Sequence, residues 1–301
     1  MSALIPEYCT IDLLRGSTVF SLSDGVLCKC TGIQGVGLLQ SERMTEQGPL
    51  QHGVTDRGFR AKERLIRLML FYQVATPTEY WDRRNSLNTA LEPTTRLAQL
   101  RFDLGNGTRR QIWCSILGSV MDMRPDSAGG SSFAVDFMCP NPAFYDPNGK
   151  ALIFGLDYSA TTFQIPMEIP LGIGQSTIDA SALISYGGSW RSYPYRIRIS
   201  GPMTDCVITN ETTGEKLDFT GVSIAAGDRR DIDLRYSYKS VIDATGTNKI
   251  ADLTSDSDLT SWHLATAREV PDGSNSIAVT GTGVTSATEI YISYHEYFNG
   301  I

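Results

Sequence analysis

The sequence predicts a mainly β protein. An N-terminal β-rich domain with one α-helix and a long β-hairpin arm precedes a C-terminal β-sandwich. Three observations carry this. Short runs of alternating polar and apolar residues recur along the chain, separated by Gly, Asp, Asn and Ser. Only TPTEYWDRRNSLNTALEP carries the start and stop signals of a helix. Residues 40–57 are too polar and glycine-rich for a core strand, yet they lead almost directly into an apolar one.

Residues 1–37 read as short strands and turns, with a turn signal at Asp24-Gly25. In residues 40–57, Pro49 and glycines at 48 and 53 punctuate Gln, Glu, Arg and Thr, the pattern of a hairpin projecting from a body. The strand expected over 60–72 puts Ile66, Leu68, Leu70 and Tyr72 on one face and Leu65, Met69 and Phe71 on the other. It is expected to begin half-exposed and end buried on both faces. The belt hairpin as a whole is placed at about 38–72.

The helix is expected over about 77–91. Thr76 is the N-cap, Pro77 takes the first helical position and Glu79 completes a capping box. Tyr80, Leu87 and Leu91 form its apolar stripe, with Trp81 beside it, and Pro93 stops it. A hairpin around Gly105-Asn106-Gly107 follows, and then the strand SSFAVDFMC, which runs into a proline-rich exit. The domains are accordingly 1–145 and 146–301. In the second, YRIRISG, DCVITNETTGEKLDF, RRDIDLRY, NSIAVTG and EIYISYHEYF have the spacing of a sandwich.

Composition narrows the function. The chain has 301 residues, 41% hydrophobic and 20% charged, which is globular composition. Net charge is -7, so bulk charge attracts neither nucleic acid nor anionic lipid. The charge is uneven: residues 1–143 hold 15 Lys/Arg and 14 Asp/Glu, residues 144–301 hold 11 and 19. The near-neutral half suits burial against partners. No secretory signal or membrane-spanning apolar run is read in the sequence, and the 6 dispersed cysteines are expected as reduced thiols.

No catalytic constellation, metal site or cofactor is expected. The three histidines, His52, His263 and His295, are scattered. Cys28 and Cys30 share a strand face, but no second Cys or His pair stands at ligand spacing, so they read as small buried hydrophobes. Asp252, Asp256 and Asp258 cluster without the Gly and Glu of a calcium loop and read as a polar turn.

Four stretches, taken in order, resemble the distal tail proteins of long non-contractile-tailed phages, the siphophage Dit family. They are GVTDRGFRAKERLIRLMLFY, YWDRRNSLNTAL, VDFMCPNPAFYDP, and a C-terminal series from YPYRIRISGPMTDCVITNETTGEKLDF to IYISYHEYFNGI. Together they span nearly the whole chain. The resemblance implies a virion protein at the distal end of the tail, assembled in the host cytoplasm. It implies a ring, usually of six copies, whose hairpin belt packs on the neighbouring subunit and whose C-terminal domain is a galectin-like sandwich. The ring would join the tail tube protein to the tail-tip hub and to receptor-binding or tail-fibre proteins. Tape measure protein and then DNA would pass through its lumen, with no sequence-specific nucleic-acid contact and no membrane.

On this reading the arm is completed by a neighbour, because exposed hairpin backbone needs partners and a closed ring supplies them. Its expected contact residues are Arg43, Glu46, Gln51, Asp56, Arg57, Phe59, Arg60 and Lys62, whose mixed charge would set register between copies. Arg64 and Arg67 are counted with the same charges. Two rival functions remain. One is a carbohydrate-binding adhesin, with Trp190 and Trp262 as candidate glycan contacts. The other, a glycan-degrading enzyme, needs a carboxylate pair about 5–10 Å apart.

Overall fold

The computed structural model describes residues 9–121, 130–155 and 177–301. The chain falls into two units, Met1–Pro147 together with Phe298–Ile301, and Asn148–Tyr297. The sequence assigned everything after residue 145 to the second domain, whereas the structure returns residues 298–301 to the first. The physical reason is local. Ile301 N–H donates to the Val36 carbonyl at 3.1 Å, and the Arg110 guanidinium lies 3.6 Å from the centre of the Phe298 ring.

The first unit contains β1 (Cys9–Arg15), β2 (Thr18–Ser21), β3 (Lys29–Gln34), β4 (Ser41–Glu46), β5 (Thr55–Ala61) and β6 (Arg64–Gln73). Then come α1 (Pro77–Leu91), β7 (Ala98–Leu104), β8 (Arg109–Met121), β9 (Gly130–Cys139) and β10 (Phe144–Tyr145). An antiparallel sheet runs in the order β2-β1-β7-β8-β9-β6-β3, with β10 bridged to β8 at Tyr145–Gln111. Its buried face and α1 share one core, built on Leu13, Leu68, Leu100, Phe102, Phe137, Leu87 and Leu91.

Helix α1 begins where its signals place it. Thr76 Oγ1 accepts from the Glu79 N–H, and the Glu79 carboxylate accepts from the Ala75 N–H at 3.0 Å. At its other end the Arg15 side chain donates to the carbonyls of Thr89, Ala90 and Glu92. Those are helix-terminal acceptors that the helix itself leaves open.

Strand β6 departs from expectation. Arg64, Ile66, Leu68, Leu70 and Tyr72 are buried, but Leu65 is 58% exposed and Met69 38%. The strand is therefore buried on one face, not on both. It lies between β9 and β3 in a sheet whose opposite face also exposes Leu117 and Trp113 on β8.

The second unit contains β11 (Lys150–Gly155), β12 (Thr177–Ser185), β13 (Arg196–Ser200), β14 (Met203–Asn210) and β15 (Glu215–Ile224). It continues with β16 (Arg229–Asp233), β17 (Ser240–Asp243), β18 (Ser274–Thr282) and β19 (Glu289–Tyr294). One sheet is ordered β11-β19-β13-β16-β17, the other β12-β18-β14-β15. Ile197, Ile199, Ile290 and Ile292 of the first and Ile208, Phe219, Ile277 and Val279 of the second meet in one core around Trp262. That is a β-sandwich, with inward residues alternating along each strand.

Candidate assembly surface

Strands β4 and β5 form a two-stranded sheet of their own, joined to no other strand among the described residues. Pairing runs Ser41↔Ala61, Glu42↔Arg60, Arg43↔Phe59, Thr45↔Asp56 and Glu46↔Thr55, with a shift between Arg43 and Thr45. The shift sets Arg57 and Gly58 against the single residue Met44. Gly58 has φ 107°, a conformation that L side chains rarely adopt, which explains a glycine in mid-strand. The expected arm of 38–72 is thus shorter: the hairpin is 41–61, and β6 belongs to the body.

The tip is tied chiefly by Gln51, whose backbone carbonyl also accepts from Gln47 Nε2 at 3.3 Å. Gln51 Oε1 accepts from the Gly48 N–H at 3.1 Å, and Gln51 Nε2 donates to Thr55 Oγ1 at 2.8 Å. Along the strands the charges pair within the arm: Arg43–Asp56 at 2.6 Å, Arg57–Glu46 at 2.6 Å, Arg60–Glu42 at 3.1 Å and Lys62–Glu42 at 3.5 Å. The Arg60 hydrogen bond, then the charges of Lys62 and Arg60, hold the Glu42 carboxyl below its ordinary value. Exposed pairs of this kind are worth little, because water and salt screen them.

Every β4 residue is exposed, as are Thr55, Asp56, Arg57, Phe59 and Arg60 on β5. Leu50 at the tip is 96% exposed, and Leu38, Met44 and Val54 also face solvent. The sequence reading chose the charged residues and passed over these apolar ones. Their signal was available: isolated Leu, Met and Val in a stretch with no alternation to bury them.

Arg64 and Arg67 do not belong to the arm's charge network. Arg67 pairs with Asp136 on β9 at 2.6 Å. The Arg64 side chain is 6% exposed and donates to four backbone carbonyls: Pro142 (2.7 Å), Gly35 (2.6 Å), Gly37 (2.8 Å) and Asn299 (2.6 Å). Its guanidinium also lies 4.8 Å from the Phe144 ring centre. Burial draws the Arg64 pKa down.

In the second unit, Trp262 is 0% exposed and sits in the core, which removes it as a glycan contact. Trp190 is half-buried, with its N–H donating to Tyr297 O at 3.0 Å and its carbonyl accepting from the Tyr186 hydroxyl at 2.6 Å. The exposed aromatics are others. Tyr236 and Tyr238 are 61% and 58% exposed. The Tyr236 ring meets Tyr193 at 4.9 Å and 65°, their hydroxyls 3.1 Å apart. Arg235 covers the Tyr238 ring at 4.8 Å and is held by Asp233, while Arg191 pairs with Glu269 nearby in the chain of contacts through Tyr193. The run RYSY carried this signal, two aromatics two residues apart among polar ones.

The aspartate turn engages protein donors. Asp252 binds Arg230 at 2.7 Å, Asp256 binds Lys216 at 2.5 Å, and Asp258 accepts from the Lys216 N–H at 3.0 Å. The Lys216 bond is the main reason Asp256 falls to about 2. Cys28 and Cys30 are buried in the first core, and burial pushes the Cys28 thiol up to about 12.

No family model matches the sequence, and no curated protein matches it. Solved structures do. The crystal structure of SPP1 Dit (gp 19.1), described as a paradigm of the hub adsorption apparatus in Gram-positive-infecting phages, is 14% identical and covers 96% of this chain and 99% of that one, with a TM-score of 0.63. The phage P2 baseplate in its activated conformation with Ca is 10% identical, covering 95% of this chain and 97% of that one, with a TM-score of 0.51. The chain therefore has the Dit-like, mainly β fold along nearly its whole length.

Proposed function

We propose that the chain is a structural hub protein of a phage tail tip. Copies of it, six by the resemblance, close into a ring between the tail tube and the tail-tip hub, and the second unit supports receptor-binding components. The observation that carries this reading is the arm. A lone two-stranded hairpin is marginal in water, and this one has no strand beside it among the described residues and apolar side chains in solvent. A second copy of the chain is the cover that the fold likeness favours. On this reading Arg43, Glu46, Gln51, Asp56, Arg57, Phe59, Arg60 and Lys62 form the polar part of the contact. Leu38, Met44, Leu50 and Val54 supply its apolar anchors.

Light scattering of the purified chain, and of one with 41–61 replaced by a short glycine linker, tests this. A closed oligomer near six copies that falls to monomer on replacement is expected. An oligomer unchanged without the arm would sink the arm's role.

One observation favours a second reading, in which the sandwich also contacts glycans. Tyr236 and Tyr238 are more than half exposed, with Arg235 over the Tyr238 ring and Tyr193 against that of Tyr236, beside fixed hydrogen-bonding pairs. Saturation-transfer NMR with neutral oligosaccharides, repeated on Tyr236→Ala and Tyr238→Ala, decides it: signal lost in both variants supports the reading, and no signal in the parent ends it. The carboxyls with a resolved shift among the described residues move down, so no observation favours the glycan-cleaving rival, which needs one carboxyl with a raised pKa.

A further inference from the structure

The arm leaves the body through a neck of two chain segments. The ingoing segment follows β3, with Gly35, Val36 and Gly37. The outgoing segment runs from Lys62 to Arg64. Between them Lys62 N–H donates to the Gln40 carbonyl at 3.0 Å. Arg64 is the first residue of β6, and it reaches back to the carbonyls of Gly35 and Gly37. One buried guanidinium thus closes both sides of the neck.

The neck is also close-packed backbone. A Cβ at Gly35, where φ is +84°, would stand 1.9 Å from the Leu65 carbonyl oxygen. A Cβ at Gly300 would stand 2.8 Å from the Gly37 carbonyl oxygen and 3.1 Å from that of Val36. Residues 298–301 therefore lie directly on the ingoing segment. Ile301 N–H donates to Val36, and Asn299 gives Arg64 its fourth acceptor, from 235 residues further along the chain. A buried cation holds its place only when its donors are met, and here part of that set comes from the segment that has returned from the second unit.

We propose that Arg64 and residues 298–301 form a latch at the arm's neck. The latch fixes the direction in which the arm leaves the body. The arm then becomes competent for assembly only after the chain has been made through the second unit and has come back. Arg64 is a positioning residue in this scheme, not a contact residue. The inference rests on the ring reading only for its consequence in assembly; the latch itself stands on the neck geometry.

The test compares the full chain with three variants: a chain ending at Tyr297, Gly300→Val and Arg64→Lys. Gly300→Val keeps every charge and forces the returning segment off the neck. Arg64→Lys keeps the charge but loses the fork of donors. Hydrogen exchange is read at 34–40 and 62–66, at the arm, and at β7 and β8 as an internal control of folding. At least tenfold faster exchange at the neck and arm in all three variants, with β7 and β8 unchanged, is expected. Oligomer mass by light scattering should fall in parallel.

Neck exchange that stays unchanged in both the shortened chain and Gly300→Val overturns the latch. If the shortened chain loses β7 and β8 protection as well, Gly300→Val decides alone. A full chain that is monomeric, yet loosens at the neck in the variants, would reject the ring and keep the latch. A full chain that assembles, with variants that assemble equally and keep a protected neck, would reject the latch and keep the ring.

Discussion

The arm and β6 are neighbours in sequence and both carry arginines, yet they are opposite in physics. In the arm, arginines at 43, 57 and 60 stand in solvent, each against a carboxylate on the facing strand. Three residues beyond the arm, Arg64 is buried, with four carbonyls and an aromatic ring around it. Exposed pairs are worth little because water serves both charges nearly as well. A buried guanidinium is costly to strand, so its surroundings must be fixed. The difference separates two kinds of residue: those of β6 hold the body together, and on the proposed function the arm's side chains serve association.

The sharpest way to break that division is a core truncation. Leu68 on β6 is 0% exposed within the first core. Leu68→Ala should cost about 2–5 kcal/mol through lost burial and the cavity left behind. Urea unfolding followed in the first unit would measure it. A loss below about 1 kcal/mol would mean that β6 is not the stability element described.

The arm should give the opposite pattern. Met44→Ser and Leu50→Ser remove exposed methyl and methylene groups from a hairpin that pairs with no other strand among the described residues. Unfolding free energy should move by no more than about 0.5 kcal/mol. Oligomer association should weaken by roughly tenfold or more for the double variant, the scale expected when interface anchors are cut. Stability lost with association intact would invert the comparison.

How much of this was legible follows the range of the interactions. The cap of α1 was readable because Thr76, Pro77 and Glu79 act within one turn. The two-residue period of β6 was readable too, but not its exposed face. Leu65 and Met69 are apolar, and sequence does not record that the sheet leaves them uncovered. The arm was readable as polar and of mixed charge, but not the pairing by which its charges close on one another across 11–18 residues. Arg64 was misread as surface charge. Its acceptors lie 27, 29, 78 and 235 residues away, and no local pattern joins them. Trp262 failed in the same way: a tryptophan in a polar turn-rich stretch looks available, yet the fold places it at the centre of the sandwich.

The finest test of the comparison is titration. Glu42 has a folded pKa below the usual value near 4.3, chiefly through its hydrogen bond from Arg60 and the charge of Lys62. A lowered carboxylate contributes its support fully above the unfolded value and loses it as pH falls through the folded one. The arm's pairing should therefore be intact near neutrality and loosen progressively below about pH 4. Asp136, held down first by its bond from Arg67 on the exposed side of β6, titrates in the same direction. The buried face of β6 carries Ile66, Leu68 and Leu70, none of which titrates, so β6 should keep its protection while the arm loses it. High salt at neutral pH should imitate the effect weakly, because a Debye length of about 3 Å at 1 M screens exposed pairs and leaves buried contacts alone. Amide protection factors along 41–61 and 64–73 through an acid titration separate the two. Arm and β6 loosening together would mean that the arm is stabilised by the body. The arm loosening first would mean that its own ion pairs and, in the assembly, its neighbour hold it.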